Sequence, residues 1–446
     1  MTGRGGEKNG LIPRLWTEGS SAAECAGGAG AGLFPPFTEE TRRTIDRLPA
    51  LVDEVFPLPA RFRLGLRHDV AELSRLLTSE RAERSRSYLG RPALLSAYLR
   101  YFLPWNIFRL CRLLSSLPLE LKNDDAVTDL GAGPLTLAAS LWISRPDLRK
   151  VNLEFRCLDR TAGVLEAGKK FFTALTAGSG CPWSIRTIRG ELTNSGARRA
   201  NGLSVEIKGK PASLCAAVNV YNELYWDFSP MDAEGIGSFA ERQARLLSSL
   251  TESSGSILVV EPGIPRSGEF ISLLRSHLVA EGHNPLSPCV HGAPCPVPGR
   301  NFPSPKTGKV MGKARWCHFS FDTKDAPQDL HKLSDAAGLP KEKAVLSFIF
   351  TRRLNPNAES GEKSSKQKSL KEKTKIRVIS DAFPAGGKWG RNTRYGRYGC
   401  CERGLVLVTG SRENIEASPS GALEELPVLA DVRDKKSGAL IAEKKL

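Results

Sequence analysis

The stretch that decides the fold is Val127-Thr128-Asp129-Leu130-Gly131-Ala132-Gly133-Pro134-Leu135-Thr136. An apolar run leads into Asp-x-Gly-x-Gly, and a helical pattern follows from Leu135. The two glycines permit a tight turn that a ligand can approach closely, and Asp129 offers a carboxylate at the end of the strand. The third glycine of the dinucleotide fingerprint is missing, and Pro134 stands where the helix would begin. The turn therefore favours S-adenosylmethionine over NAD.

Short apolar runs alternate with helical stretches from residue 124 onward. Seven runs have the length and composition of strands: 126–130, 153–159, 183–188, 214–220, 256–260, 315–321 and 344–350. Strands separated by helices indicate a parallel sheet covered on both faces. We therefore expect an α/β fold with a seven-stranded, doubly wound, Rossmann-like sheet of the S-adenosylmethionine-dependent methyltransferase type, whose last two strands form an antiparallel edge.

The remainder of the 446-residue chain divides by composition. Glycine and alanine dominate its start, apolar residues then recur every three or four positions, and Lys, Ser and Glu dominate a later stretch. We expect these segments: a disordered arm (1–38), a helical region (39–121), a methyltransferase-like domain (122–353) with a cysteine-containing insertion (284–320), a basic linker (354–376), a small β module (377–425) and a tail (426–446).

The charge balance points to a polyanionic partner. Lys and Arg number 64 against 48 acidic residues, which gives a net charge of +16. Such an excess is typical of proteins that neutralise RNA or DNA phosphates, and a solubilising surface is the alternative. No apolar run approaches the roughly 20 residues that cross a bilayer, so we expect no membrane association. The sequence starts with neither a secretory signal nor a mitochondrial-type leader, which favours the cytoplasm of a bacterium. We expect a monomer.

Basic residues concentrate in three stretches outside the predicted core, and one of them also contains aromatic residues. Aromatic rings between arginines are typical of surfaces that bind unpaired bases, whereas a solvated linker explains a basic run without rings equally well. The stretches are Lys306–Arg315, Lys363–Arg377 and Lys388–Arg397, the last interleaved with Trp389 and Tyr395 and followed by Tyr398.

Polar side chains follow the second, third and fourth predicted strands. Asp159 ends the second strand, where a carboxylate can accept both ribose hydroxyls of a nucleoside, and Glu191 can lie beside the adenine. Asn222 and Glu223 follow the fourth strand at the position that usually faces the substrate. We take Asp129, Gly131, Gly133, Asp159 and Glu191 as candidate cofactor residues and Asn222 and Glu223 as candidate catalytic residues. The alternative for each acid is that it caps the next helix.

Cysteines cluster in the last third of the chain. Cys289 and Cys295 stand between prolines with five residues between them, Cys317 follows a tryptophan, and Cys400 and Cys401 are adjacent. Thiolates suit zinc or an iron–sulfur cluster. Zinc ribbons usually carry Cys-x-x-Cys, which is absent here, so the spacing favours a cluster. Buried free thiols are the alternative.

Three motifs carry a resemblance to a known family. Glu261-Pro262-Gly263, Cys289-x5-Cys295-Pro296 and Trp316-Cys317-His318-Phe319 resemble the methyltransferase-like ribosomal small-subunit assembly factors of mitochondria and bacteria. That family was first described as a mitochondrial small-subunit ribosomal protein. The similarity extends from Tyr98 to Val408.

The resemblance implies a methyltransferase-like fold, a [4Fe–4S] cluster held by four cysteines, and association with the small ribosomal subunit and its rRNA. It implies Cys289, Cys295 and Cys317 as three cluster ligands. The fourth falls at the adjacent pair, where the following Gly404 favours Cys400 over Cys401. In a eukaryote the resemblance implies the mitochondrial matrix.

Three functions follow from these features. The first is a factor that binds the small ribosomal subunit and supports its assembly and translation, with the cofactor fold and the cluster acting structurally. The second is an active S-adenosylmethionine-dependent rRNA methyltransferase, in which Asn222 or Glu223 lies near the target amine of an unpaired base. The third, weaker one is a redox-sensing RNA-binding module. The sequence leaves open whether methyl transfer occurs.

Overall fold

The computed structural model describes residues 32–78, 88–192, 203–227, 232–300, 314–353, 373–385 and 394–444. The expected arm and basic linker lie almost wholly outside these ranges. The same holds for most of the three basic stretches, including Trp389. Within the described ranges, each helix is too short or too polar to cross a membrane.

Helices precede the sheet. They are α1 (Glu39–Val55), α2 (Ala60–Arg63), α3 (Leu66–Leu77), α4 (Pro92–Ala97) and α5 (Leu103–Leu114), with a π-helical segment, Tyr98–Phe102, between the last two. The Thr38 side chain caps α1 by accepting a hydrogen bond from the Thr41 amide at 3.2 Å. Ile45, Leu48 and Val52 give α1 an apolar stripe that is buried in the main core.

The central domain alternates strands and helices along the chain. Its elements are β1 (Asp125–Leu130), α6 (Thr136–Ser144), β2 (Leu153–Asp159), α7 (Ala162–Leu175), β3 (Ser184–Arg189), β4 (Ala212–Val218), α8 (Ala233–Leu250), β5 (Thr251–Pro262), α9 (Pro265–Ala280), β6 (His283–Ser287), β7 (Phe319–Asp322), α10 (Gln328–Ala336) and β8 (Lys343–Arg353). The strand order is β3-β2-β1-β4-β5-β8-β6, with β7 paired to β8. Strands β1 to β5 are parallel, and β8 is antiparallel to β5, β6 and β7.

The sheet is doubly wound, as expected, but its described part has eight strands rather than seven. The additional strand is β6, whose sequence His-Asn-Pro-Leu-Ser lacks the apolar pattern of a strand. Strand β8 lies between β5 and β6 and therefore does not form an edge. It is a long strand, and its central residues are buried because helices cover it on both faces.

Two apolar layers enclose the sheet. On one face α5 and α6 pack together with the N-terminal helices around Phe108 and Leu137, and on the other α8 and α9 pack around Phe239 and Phe270. Each of these four side chains is fully buried. The helices before the sheet therefore belong to the same core as the central domain.

The chain ends in a β-barrel. Its elements are β9 (Lys373–Val378), β10 (Phe383–Pro384), β11 (Tyr395–Cys401), β12 (Gly404–Gly410), α11 (Arg412–Glu416), β13 (Leu423–Arg433) and β14 (Leu440–Glu443). The order β9-β11-β12-β14-β13 closes because β13 pairs with β9. The barrel interior is filled by Ile376, Cys401, Val406, Val428 and Leu440.

The expectation of a tail over 426–446 is therefore wrong. Strands β13 and β14 occupy most of this segment, and β14 lies between β12 and β13. The apolar run of β14, Leu440-Ile441-Ala442, is short, and lysines stand on both sides of it in the sequence, so the segment has the composition of a solvated tail. The barrel contacts the central domain through buried Arg377, which donates to the carbonyl of Pro288 in the central domain at 2.9 Å. It also donates to the carbonyl of Gly421 within the barrel at 2.8 Å.

Candidate functional site: a cofactor cleft and a cysteine cavity

The glycine turn after β1 adopts backbone angles that its sequence anticipates. Gly131 has φ of +70° and Gly133 has φ of +53°. A Cβ on Gly131 would lie 2.3 Å from Cγ2 of Val220, whereas a Cβ on Gly133 would meet nothing within 4 Å. Gly131 is therefore required both by its conformation and by the close approach of the segment after β4.

Asp129 is a buried carboxyl at the floor of the turn. It is 1% exposed, and its Oδ1 has no hydrogen-bond partner among the described residues. Burial, with a smaller contribution from Asp159, raises its pKa to about 8. A buried acceptor without a donor costs free energy, so this oxygen suits a ligand that brings an N–H or an ammonium group.

Asp159 is held at the end of β2 by two backbone hydrogen bonds. Its Oδ2 accepts from the Gly133 amide at 3.0 Å, and its Oδ1 accepts from the Thr161 amide at 2.9 Å. Burial raises its pKa, and these two bonds oppose that rise. Asp159 therefore holds both the glycine turn and Thr161, the residue before α7, and carboxylate oxygens keep further acceptor positions for hydroxyl groups.

These residues meet in a cleft of about 860 Å³ that is open to solvent. The five candidate cofactor residues, Asp129, Gly131, Gly133, Asp159 and Glu191, all line it. The cleft lies at the carboxyl ends of β1, β2 and β4, where the strand order reverses between β1 and β4. Ligands of open α/β sheets bind at such a switch point.

The two candidate catalytic residues are separated by the structure. Glu223 lines the cleft and accepts hydrogen bonds from the Tyr88 hydroxyl at 3.0 Å and from Arg160 at 3.2 Å. Asn222 does not line the cleft; it is buried, and its backbone N–H donates to Oε2 of Glu261 at 3.0 Å. The two differ because they lie in one 3₁₀ turn, Tyr221–Glu223, which points successive side chains in different directions. The structure thus brings Glu223 but not Asn222 to the cleft, and the catalytic role of both residues stays a prediction.

Sequence reasoning missed the residues that the helical region contributes. Tyr88, Tyr98 and Asn106 line the cleft from outside the sheet. On α5, Arg109 donates to Oδ1 of Asn219 at 2.9 Å. A helical periodicity identifies a buried face, but it does not tell which residue of that face reaches a site formed by distant strands.

Glu261, quoted above for its motif, is a buried brace of the same region. It is 0% exposed and accepts from the amides of Tyr221 at 2.9 Å and Asn222 at 3.0 Å. Burial raises its pKa to about 8. Glu261 thereby fixes the turn after β4, which carries Glu223 to the cleft.

The cysteines from three distant segments meet at the junction of the barrel and the central domain. Cys289, Cys317 and Cys400 line one small cavity. Cys295 lies near them. Burial is the main reason that the pKa of each of the three thiols is raised, and the negative charge of a Cys295 thiolate is a further cause for all three. Cys401 faces the barrel interior instead. Within the described ranges, no group of three or more His, Cys, Asp or Glu side chains is arranged to hold a metal ion.

Two buried arginines flank this cavity. Arg275 of α9 donates from Nε to Sγ of Cys289 at 3.2 Å and from Nη2 to the carbonyls of His291 at 2.6 Å and Ala293 at 2.9 Å. Arg377 lines the cavity from the barrel side. Burial alone favours neutral thiols, and positive charge at this position favours thiolates. The donor set therefore has the chemistry of a site for an anionic, thiolate-bound group.

The strand order, with an antiparallel strand between β5 and β6, and the glycine turn after β1 define the fold of S-adenosylmethionine-dependent methyltransferases. The chain is similar to solved methyltransferases with S-adenosylhomocysteine from Thiobacillus denitrificans (11% identity, 55% of this chain and 91% of that chain, TM-score 0.30) and Geobacter sulfurreducens (11% identity, 56% and 91%, TM-score 0.29). A search of the curated proteins gives no match.

Residues 236–387 match the family of the mitochondrial small ribosomal subunit protein Rsm22. The matched segment covers about a third of the chain and includes Cys289, Cys295 and Cys317, but it ends before Cys400. The match supports the resemblance that the cysteine motifs carry.

Proposed function

We propose that this protein is a methyltransferase-like factor that binds the small ribosomal subunit through its rRNA and supports assembly of the subunit. In this proposal the cleft binds S-adenosylmethionine, and Cys289, Cys295, Cys317 and Cys400 hold a [4Fe–4S] cluster. The factor acts as a monomer, in the cytoplasm of a bacterium or in the mitochondrial matrix of a eukaryote.

The observation that carries the proposal is the meeting of the cysteine segments at one cavity. Cys289 follows β6, Cys317 precedes β7, and Cys400 belongs to the barrel, so only the complete fold brings them together. Three of these cysteines lie within the family match. Four thiolates are the usual ligand set of a [4Fe–4S] cluster.

The cleft supports S-adenosylmethionine as its ligand. Asp129 offers an unpaired buried oxygen to an ammonium group, and Asp159 offers carboxylate oxygens to ribose hydroxyls. Gly131 allows the backbone to approach the ligand. Bound there, the cofactor would supply an electrophilic methyl group, and the residues of the chain would position it.

The cluster would act as a link between domains. The Arg275 side chain orients the loop after Cys289 through two carbonyls, and Arg377 ties the barrel to the same segment. Both guanidinium groups balance the negative charge of thiolates. The chain therefore provides a positively charged setting for the cysteines at the seam of its two domains.

The test is the metal and RNA content of anaerobically purified full-length protein. We expect about four irons per chain, since that is the stoichiometry of the cluster. We also expect the protein to sediment with small ribosomal subunits in a salt-sensitive manner. Stoichiometric zinc without iron would overturn the cluster, and failure to bind small subunits or their rRNA at low salt would overturn the function.

Methyl transfer to rRNA is the second candidate, because Glu223 and the five candidate cofactor residues line one cleft. Immature small subunits incubated with methyl-labelled S-adenosylmethionine should then gain label in their rRNA. A Glu223→Gln protein that still binds the cofactor should label them more slowly. Unlabelled rRNA in the presence of bound cofactor would exclude this activity and leave the assembly role in place.

A further inference from the structure

The C-terminal barrel has a strand order that identifies its fold. In chain order its barrel strands β9, β11, β12, β13 and β14 are arranged first-second-third-fifth-fourth, and the first closes on the fourth. The third and fifth strands are parallel, and helix α11 connects the third to the fourth. This is the topology of the OB-fold, a five-stranded Greek-key barrel.

OB-folds bind oligonucleotides at one place. The outer face of the second and third strands forms the floor, and the loops after the first and fourth strands form the sides. In this chain the floor is β11 and β12. The described residues of the two loops are 379–385 and 394 in the first and 434–439 in the second. Part of the floor packs on the central domain, because Cys400 and Leu405 contact the main core.

An aromatic pair lies next to this contact, and one of its members, Tyr398, itself packs against the main core while remaining half-buried. Tyr398 projects outward from β11, since Cys401 on the same strand faces inward and successive strand residues alternate. Its ring lies 5.1 Å from that of Phe383 in the first loop, and both side chains are half-buried. The guanidinium of exposed Arg315, from the central domain, lies 4.8 Å from the centre of the Tyr398 ring.

The loop after the fourth strand adds positive charge beside this pair. Lys435 and Lys436 are exposed at its tip. Asp434 of the same loop has a pKa below its ordinary value, chiefly through its hydrogen bond with Ser437 and in part through Arg315, which places Arg315 near the loop. The groove between the loops thus combines rings, a stacked guanidinium and lysines.

We propose that this groove, defined by Arg315, Phe383, Tyr398, Lys435 and Lys436, binds an unpaired RNA strand. Bases stack on aromatic rings and on guanidinium planes, and lysines neutralise phosphates. That the strand is RNA rather than another polyanion rests on the proposed function; the groove itself rests on the barrel. The positive charge attracts a polyanion rather than an apolar segment, and the rings between the basic groups can stack with bases. Together these features favour a nucleic acid over an acidic or apolar protein segment.

The cysteine cavity sets the geometry of the groove. Tyr398 stands two residues before Cys400 on one strand face, and Arg315 stands two residues before Cys317. The two cysteines line the same cavity. The pairing of Arg315 with Tyr398 therefore depends on the junction at which the cysteines meet.

The experiment measures fluorescence anisotropy of full-length protein with a labelled, unstructured 12-nucleotide RNA and with the same RNA in a duplex. We expect the single strand to bind more tightly than the duplex. Tyr398→Leu, Arg315→Gln and the double variant Lys435→Gln/Lys436→Gln should each weaken single-strand binding about tenfold. The matched control, Lys169→Gln/Lys170→Gln, removes the same charge from exposed positions on α7 and should bind as the wild type does.

Arg315→Gln alters an exposed side chain, so it tests the groove even where Tyr398→Leu reduces folding. Equal weakening by the groove and control variants would overturn the inference, as would tighter binding of the duplex. Groove variants that bind the oligonucleotide normally but bind small subunits poorly would point to a protein partner and overturn it too. Wild-type protein that binds the oligonucleotide through the groove but no small subunit would overturn only the proposed function.

Discussion

Gly131 is the residue on which the shape of the cofactor cleft depends most directly. We expect Gly131→Ala to abolish binding of S-adenosylhomocysteine, because its Cβ would lie 2.3 Å from Val220 and its φ is +70°. Gly133→Ala is the matched control, since it has a similar φ of +53° but free space for a Cβ. Gly133→Ala should lower the free energy of unfolding by about 1–2 kcal/mol, because alanine disfavours the left-handed backbone conformation, and should leave ligand binding intact. Calorimetric titration of both variants decides; equal binding by the two would refute the steric explanation.

Asp129 should give the unliganded protein a characteristic pH dependence. Its folded-state pKa of about 8 lies above the ordinary value of 3.8. Between pH 3.8 and about 8, the Asp129 carboxyl is therefore protonated in the folded state and ionised in the unfolded state. Stability contributed by this group therefore falls as pH rises from about 4 and is lost above about 8, and Glu261 adds a similar slope.

We expect Asp129→Asn to lose less stability than the wild type between pH 5.5 and 8. One pKa unit corresponds to about 1.4 kcal/mol, so the difference should exceed about 1 kcal/mol in urea unfolding. The same substitution should weaken S-adenosylmethionine binding, because an amide, unlike the Asp129 carboxyl, cannot release a proton and become an anion opposite the ammonium group. Identical pH profiles for the two proteins would contradict a buried, protonated Asp129.

At the scale of elements, the sequence predicts the strands that have a local pattern. Strand β1 was recognisable because an apolar run meets two glycines, and β2 because it ends in Asp159. The sequence does not predict strands β6 and β14, because these segments become strands only by pairing with strands distant in the chain. Strand β6 pairs with the end of β8, and β14 lies between β12 and β13. Local periodicity carries no information on such partners.

Helix α9 carries a residue that we expect to stabilise the cysteine loop. Arg275→Met keeps an unbranched side chain on the helix but leaves Cys289 and two carbonyls without their donor. The loss should be about 2–4 kcal/mol of unfolding free energy, together with lower iron content after anaerobic purification. Arg245→Met on α8 is the control, since Arg245 is exposed and pairs with Glu241. Unchanged iron in Arg275→Met would show that the loop needs no such brace.

Strand β14 tests the barrel against the expectation of a tail. A chain that ends at Arg433 lacks the strand between β12 and β13, so we expect an open barrel and rapid proteolysis after residue 373. A chain that ends at Lys444 keeps β14 and should resist the protease as the wild type does. Equal protease resistance of the two shortened chains would contradict the role of β14 in the barrel and support the expectation of a tail over 426–446.

At the scale of the whole molecule, two junctions could not be predicted from the sequence. One lies between the helical region and the cleft, where Arg109 reaches Asn219. The other lies between the barrel and the central domain, where Cys400 joins Cys289 and Cys317. The resemblance indicated which cysteines meet, but only the folded chain shows that Cys400 and Cys401 face opposite sides of β11.

The opposite orientation of the adjacent cysteines leads to a paired prediction. Cys400→Ser should lose iron and weaken RNA binding, because it removes a proposed ligand beside the groove. Cys401→Ser should keep its iron but lower barrel stability by about 1–2 kcal/mol, because Cys401 is buried in the barrel interior. Iron analysis and thermal unfolding of both variants provide the measurement. Iron loss from Cys401→Ser alone would reverse the assignment.

The bridge that Tyr88 and Arg160 form to Glu223 has a consequence for time rather than affinity. Tyr88 comes from the segment before α4, Arg160 from the end of β2 and Glu223 from the turn after β4, so the bridge joins three walls of the cleft. These bonds hold the three walls together at one point, so breaking one of them should let the walls separate more often. We therefore expect Tyr88→Phe to raise the dissociation rate of a bound ligand more than it lowers the association rate.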